Sequence, residues 1–249
     1  MKHFPKSIIP FELKAIIKNW PIGYVFHLRD ELRVKNSNPQ FFGQFGEDEL
    51  IHKYLPEKDG FYIDIGAGRP IRGSNTYALY LRGWTGICID PIKLNMYLFK
   101  SLRPKDSFIN ILIGSEPSYM NFWEFVPYEY STVVESVAEA VLTNPRVKLQ
   151  RVRKIIVKPM FDFAPRLTPN NASLLTIDVE GYDFEVLKTN DWATFRPRVI
   201  CVEDLESYKG SNHGSELETY LSIYGYECVS ETIASKIYVA GSYINSLKS

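Results

Sequence analysis

Four short apolar runs in this chain each end on carboxylates: "FYID" at Asp64, "GICID" at Asp90, "LLTIDVE" at Asp178 and Glu180, and "VICVED" at Glu203 and Asp204. Brief runs rich in branched side chains and bounded by glycine or proline read as buried strands. Helical spacing fills the intervals. "GEDELIHKYL" repeats apolar residues at Leu50, Ile51, Tyr54 and Leu55. "SNTYALYLRG" offers Ser74 or Asn75 as a cap and Gly83 as a stop, and "KLNMYLFKSL" and "YDFEVLKTNDW" follow the same logic. Strand alternating with helix predicts an α/β fold with a mostly parallel sheet and helices on both faces. "SFINILIGSE" is expected as a third strand. From about Tyr119 the alternation breaks: "YMNFWEFV" and "VRKIIVKPM" read as strands bracketing the helical "VVESVAEAVL", an insertion at about 117–160. "YGYECVSETIASKIYVA" predicts an antiparallel C-terminal hairpin.

Sheets of this kind bind ligands at the carboxyl ends of their strands. Gly66 and Gly68 in "DIGAG" let the chain turn sharply and let a ligand approach the backbone. Asp90 ends the next strand, about where an acid binds ribose hydroxyls in nucleotide sites. A dinucleotide site wants a third glycine, and Ile71 stands there instead. Asp64 would also face the pyrophosphate, and two like charges ~4 Å apart cost several kcal/mol at intermediate dielectric. The pattern therefore favours a cationic, phosphate-free adenosine compound: S-adenosylmethionine, with Asp64 near its ammonium, Gly66, Ala67 and Gly68 beneath it, and Asp90 on the ribose.

Methyl transfer to a hydroxyl needs an aligned acceptor and a base or a metal. Asp178 and Glu180 are two apart and share a strand face unless the turn at Gly181 rotates Glu180 away. Asp178, Glu203 and Asp204 together offer the oxygen ligands of a Mg²⁺ site. Without metal, His213 in "YKGSNHGSE" is the alternative base, competing with a role as a helix cap. Glu180 has its own competing role, as an acid at the start of the next helix, and Asp183 reads the same way. His52 reads as a surface residue. For the acceptor, Arg69 and Arg72 suit an anionic group and Tyr128 and Tyr130 suit a sugar face. Trp123 and Phe125 read as core of the insertion.

"GQFGED" at 43–48, the segment 61–91 beginning "FYIDIGAGRP", and "IDVEGYDFEVLK" resemble the FkbM family of S-adenosylmethionine-dependent methyltransferases. The resemblance covers roughly residues 40–240 and "IDVEGYDFEVLK" is its most specific part. It implies the class I methyltransferase, Rossmann-like fold with seven strands. It also implies cofactor contacts from Asp64, Gly66, Gly68 and Asp90, adenine contacts from Gly114 and Ser115, and a pocket wall from Gln44 through Glu47 to Asp48. Asn75, at the start of the helix after the glycine turn, and Asp178 complete the expected cofactor shell. Gly43 stands where members commonly carry serine, and Arg69-Pro70 makes the end of the glycine turn unusual. O-methylation of a saccharide, in a surface glycan, a nucleotide-linked sugar or a glycosylated natural product, is what the family implies.

The 249 residues carry equal numbers of acids and bases, so no overall field draws the chain to nucleic acid. Cys88, Cys201 and Cys228 have no regular spacing, which fits reduced thiols and a cytoplasmic protein. Residues 1–40 lie outside the resemblance and read as a helical arm ahead of a domain at 41–249. Pro5, Pro10 and Pro21 break the arm up too much for it to span a bilayer. It suits packing on the domain, a homo-oligomer contact, or an anionic membrane surface with Ile16, Ile17 and Trp20 inward and Lys14 and Lys18 at the rim. A nucleotide-sugar or dinucleotide enzyme on the same sheet, and a non-catalytic scaffold of a glycan-assembly complex, are the alternative functions.

Overall fold

A computed structural model describes residues 22–162, 172–204 and 213–247. Two compact units divide the chain, residues 1–39 and 40–249. In the first, helix α1 spans Ile22–Asn36 with Arg33 and Lys35 in its last turn, where the helix dipole favours cations. The arm residues expected to meet a membrane, Lys14, Ile16, Ile17, Lys18 and Trp20, lie outside the described residues. No described helix is long and apolar enough to cross a membrane.

The second unit runs α2 (Glu47–Tyr54), β1 (Phe61–Ile65), α3 (Tyr77–Leu81), β2 (Thr85–Ile89), α4 (Lys93–Leu102), β3 (Ser107–Ile109) and β4 (Leu112–Ile113). It continues through β5 (Ser118–Val126), α5 (Glu135–Leu142), β6 (Lys148–Lys158), β7 (Ala172–Ile177), α6 (Asp183–Lys188), β8 (Val199–Glu203), α7 (His213–Ile223), β9 (Tyr226–Glu231), β10 (Ser235–Ala240) and α8 (Gly241–Leu247). Seven strands form one sheet in the order β3-β2-β1-β7-β8-β10-β9. The pairings among β3, β2, β1, β7 and β8 are parallel, and β10 runs antiparallel to both neighbours. This is the class I methyltransferase, Rossmann-like topology that the family resemblance implies, with the C-terminal hairpin that the sequence pattern predicts.

Alternation along the strands builds two cores. Ile63, Ile65, Ile87, Ile89, Leu175, Ile177, Ile200 and Val202 bury on one face of the sheet. Tyr62, Cys88, Leu174, Val199, Cys201, Ile237 and Val239 bury on the other, with Ile51 of α2 and Leu55 just after it. Cys88, Cys201 and Cys228 are free thiols, the first two fully buried.

The third strand differs from expectation. β3 stops at Ile109, and the Asn110 amide donates to the backbone carbonyl of Asp90 at 2.8 Å in place of a ladder bond. The chain then leaves the main sheet, and β4 joins a second sheet ordered β4-β6-β5. There β5 and β6 are antiparallel and flank α5 in sequence, and Phe122, Ile155 and Val157 bury with Ile92 and Leu112. Helix α6 is shorter than its spacing suggests. It stops at Lys188 because the Thr189 hydroxyl donates back to the Val186 carbonyl at 2.7 Å and the Asn190 amide donates to Phe195 at 3.0 Å.

Candidate active site

The period of two places the strand-end acids on one face. Asp64, Asp90, Asp178 and Glu203 each follow by two positions a residue that faces the second core: Tyr62, Cys88, Thr176 and Cys201. Register does the rest. Ile65 pairs with both Ile89 and Ile177, and Ile177 with Val202. One step beyond those pairs, Asp90, Gly66, Asp178 and Glu203 stand side by side across four strand tips. Backbone bonds lock the row: Gly66 N–H donates to Ile89 at 2.8 Å, and Asp178 N–H donates to Ile65 at 2.9 Å. Gly66 has φ +77°, and a Cβ there would sit 1.7 Å from the Asp178 carbonyl oxygen. Only glycine fits, so the row keeps a side-chain-free gap between two carboxylates.

Asp90 is held from three directions. Its Oδ1 accepts from the Ile92 amide at 2.7 Å and the Asn95 side chain at 3.1 Å, and its Oδ2 accepts from the Gly68 amide at 3.0 Å. A carboxylate has about four acceptor sites, so one remains for a ligand hydroxyl. Burial raises its pKa to about 7.

Asp64 rests on a network that the sequence reading missed. Fully buried Arg103, at the end of α4, donates to Asp106 at 2.6 Å, Tyr62 at 2.7 Å, Thr76 at 2.9 Å, Ser74 at 3.1 Å and the Pro70 carbonyl at 3.2 Å. The Thr76 hydroxyl passes the bond on, donating to Asp64 Oδ2 at 2.6 Å. Asp106 accepts in turn from Tyr62 at 2.9 Å and from the Gly86 amide at 2.9 Å. Burial lifts the Asp64 pKa to about 6, and the Arg103 guanidinium opposes the rise. The floor beneath the glycine turn is therefore a carboxylate backed by a cation. The spacing of Arg103 and Asp106, i and i+3, was the only hint in the sequence.

At the far end of the row, carboxylate oxygens of Asp178, Glu180 and Glu203 lie within 4.8 Å of one another. Burial raises all three, and nearby negative charge adds to it: Asp64 and Glu47 act on Asp178, and Asp178 and Asp183 act on both Glu180 and Glu203. Asp178 reaches about 7 and Glu180 about 8, and Glu203 rises furthest. Glu203 hydrogen-bonds Asp178 and steadies its ionised form. Glu180 has φ +56°, a left-handed turn that keeps it in the cluster despite Gly181. The helix-start role weighed for Glu180 belongs to Asp183, which accepts from the amides of Val179 at 2.9 Å and Gly181 at 3.1 Å.

The remaining candidates scatter. Asp204, expected as a metal ligand with Asp178 and Glu203, turns to Lys236 at 3.2 Å, and Glu180 takes its place in the cluster. His213 is the first residue of α7, but its side chain lies outside the described residues. Gln44 is exposed, and Glu47 is buried, accepting from the Phe45 amide at 2.9 Å and the Thr232 hydroxyl at 3.0 Å. At Gly43 a Cβ would lie 2.7 Å from an Asp48 oxygen, so the serine common at this position would have to displace that carboxylate. Asn75 reaches Thr176 at 3.4 Å; the N-cap of α3 is Thr76, not the expected Ser74 or Asn75, and the Ser74 hydroxyl accepts from the Tyr77 amide at 3.2 Å. Gly114 is buried beside Val157 with the Tyr182 ring near, and Ser115 is exposed. Arg69 pairs with Glu129 at 3.2 Å and sits 5.5 Å over the Tyr128 ring, close in sequence to exposed Tyr130. Arg72 is exposed, as is His52. Phe125 is fully buried with Ala138 and Val147, and Trp123 packs on them.

No curated protein sequence matches the chain. Several solved structures resemble it at low identity. Methyltransferase PaMTH1 of Podospora anserina, solved with SAH bound, is 12% identical with a TM-score of 0.40, covering 94% of this chain and 98% of that one. A putative O-methyltransferase of Klebsiella pneumoniae is 8% identical with a TM-score of 0.43, covering 92% and 94%. An O-methyltransferase of Bacillus cereus, in complex with SAH, is 9% identical with a TM-score of 0.36, covering 91% and 94%. The profile of the methyltransferase FkbM domain matches residues 64–228, from the acid of the glycine turn to the first strand of the C-terminal hairpin. That match takes in more than half of the sequence, and the chain belongs to the FkbM methyltransferase family.

Proposed function

We propose that the protein transfers the methyl group of S-adenosylmethionine to a hydroxyl oxygen of a saccharide, in a surface glycan, a nucleotide-linked sugar or a glycosylated natural product. The row Asp90-Gly66-Asp178-Glu203 carries this reading. Its gap at Gly66 leaves bare backbone between carboxylates, which suits a cationic ligand and repels a pyrophosphate. Family membership supports methyl transfer, and the saccharide acceptor rests on the aromatic groups of the insertion together with Arg69 of the glycine turn.

When bound, S-adenosylmethionine supplies an electrophilic methyl carbon on a good leaving group. Asp64, Gly66, Ala67, Gly68 and Asp90 would hold it. Asp64 meets its positive charge, and Asp90 offers its one remaining acceptor site to a ribose hydroxyl. Asp178 takes the acceptor's proton. A base with a pKa of about 7 suits work near neutrality, and Glu203, which keeps its own proton, orients it by hydrogen bond. Arg69 and Tyr128 present a flat guanidinium-aromatic surface to the acceptor.

Isothermal titration with S-adenosylmethionine tests the reading, and no heat at millimolar ligand sinks it. Binding should weaken as pH falls below about 6, where Asp64 takes a proton. Asp90→Ala should weaken it by roughly 1.5–3 kcal/mol, one hydrogen bond to a charged group.

A second reading uses the same cluster to hold Mg²⁺, since three carboxylate oxygens within 4.8 Å meet the spacing of a hard-cation site. Activity that survives a chelator supports the proton-accepting role. Activity that vanishes and returns with Mg²⁺ supports the metal.

A further inference from the structure

The outer face of the β5–β6 hairpin takes no part in the site described above. Register pairs Tyr119 with Ile156, Asn121 with Lys154 and Trp123 with Val152 on that face. Tyr119 is 68% exposed, Val152 and Ile156 are each 46% exposed, and Leu149 is 41% exposed. Lys154 and Lys158 alternate with them along β6 and are exposed too. The inner face is satisfied. Phe122, Ile155 and Val157 are buried, and Glu124 pairs with both Arg151 at 2.8 Å and Arg153 at 3.0 Å.

This segment also concentrates charge. Residues 140–161 hold six Arg and Lys and no Asp or Glu, in a chain whose total is neutral. Single exposed apolar side chains are ordinary, but a cross-strand patch of them marks an interaction surface.

We infer that this face docks on an anionic lipid surface. Charge complementarity selects the occupant: the outward lysines match acidic headgroups, each strengthening attachment by about fivefold. Tyr119 suits the interfacial layer, and Val152, Ile156 and Leu149 gain by leaving water. A nucleic acid would leave those aliphatic groups without a partner, and Arg151 and Arg153 are already held by Glu124 on the other face. The attachment is independent of methyl transfer and would bring the domain to acceptors carried on a membrane.

Flotation of the full chain with vesicles tests this. The chain should float with phosphatidylcholine vesicles that contain phosphatidylglycerol, not with phosphatidylcholine alone, and high salt should release it. Lys154→Glu with Lys158→Glu should lower partitioning at least about 25-fold, two lysines at about fivefold each. Lys154→Arg with Lys158→Arg should keep it. Tyr119→Ser with Ile156→Ser should weaken attachment at every salt concentration. All these positions are exposed, and an unchanged melting curve checks that each variant folds. Lysine reversals that float like the parent overturn the inference, since another part of the chain then does the binding. A parent chain that ignores the acidic vesicles also overturns it. So does dimerisation in sedimentation that is lost with the same substitutions, because the face then belongs to a second copy.

Discussion

Two groups of carboxylates flank the glycine turn, one with its side chains buried and one half-buried, and they are built on opposite principles. Asp64 and Asp106 share a fully buried guanidinium, Arg103, through direct bonds and through Thr76. Asp178, Glu180 and Glu203 gather on the other side with no cation among the hydrogen bonds and ion pairs described for them. The first group is compensated, and breaking it leaves a charge stranded. The second is frustrated, and its repulsion is relieved by protons. One ties a floor together, and the other leaves Asp178 able to change charge near neutral pH.

Substitutions on the two sides should therefore behave differently. Asp178→Asn is expected to lose about 10²–10⁴-fold in turnover while leaving the melting temperature intact or higher, the loss typical of a missing general base. A rate within tenfold of the parent would mean that another group accepts the proton. Arg103→Met should cost about 3–5 kcal/mol in urea unfolding, because Asp64 and Asp106 lose their partner inside the core.

Glu203→Gln should do the reverse. A carboxyl whose folded pKa lies above its unfolded value contributes most at low pH, and that contribution is lost as pH rises toward the folded pKa. The parent should therefore weaken relative to the variant as pH climbs above about 4.3, the ordinary glutamate value. At pH 8 the variant should be more stable by about 1–3 kcal/mol, and near pH 4 the two should melt together. A variant that is less stable at pH 8 would show that Glu203 is compensated after all. Thr76→Val, the smallest change, should cost about 1 kcal/mol, and it should raise the pH below which cofactor binding fades, since Asp64 loses a donor to its ionised form. An unmoved pH profile would detach Asp64 from the Arg103 network.

Much of the main sheet was legible because its signals are local. Apolar runs, helical spacing and the terminal hairpin each occupy one stretch of sequence, and the acids at Asp64, Asp90, Asp178 and Glu203 end their runs visibly. What could not be read was long-range. Arg103 looks like one more basic residue after a helix, and only the fold brings it under β1 beside Tyr62 and Thr76. The choice between Asp204 and Glu180 turned on a left-handed residue at Glu180 and on Lys236, a residue of the distant C-terminal hairpin. The break of the third strand at Asn110 depended on a side chain that outcompetes a ladder bond, which an apolar pattern does not reveal.

That break also shapes what the fold can become. The chain departs the main sheet at Asn110 and returns to it at Ala172, and the three-stranded sheet between them is seated on the main core through Ile113 and Met160. A graft of a different segment between those two points would keep the row of strand tips intact only if it also refilled the places of Ile113 and Met160.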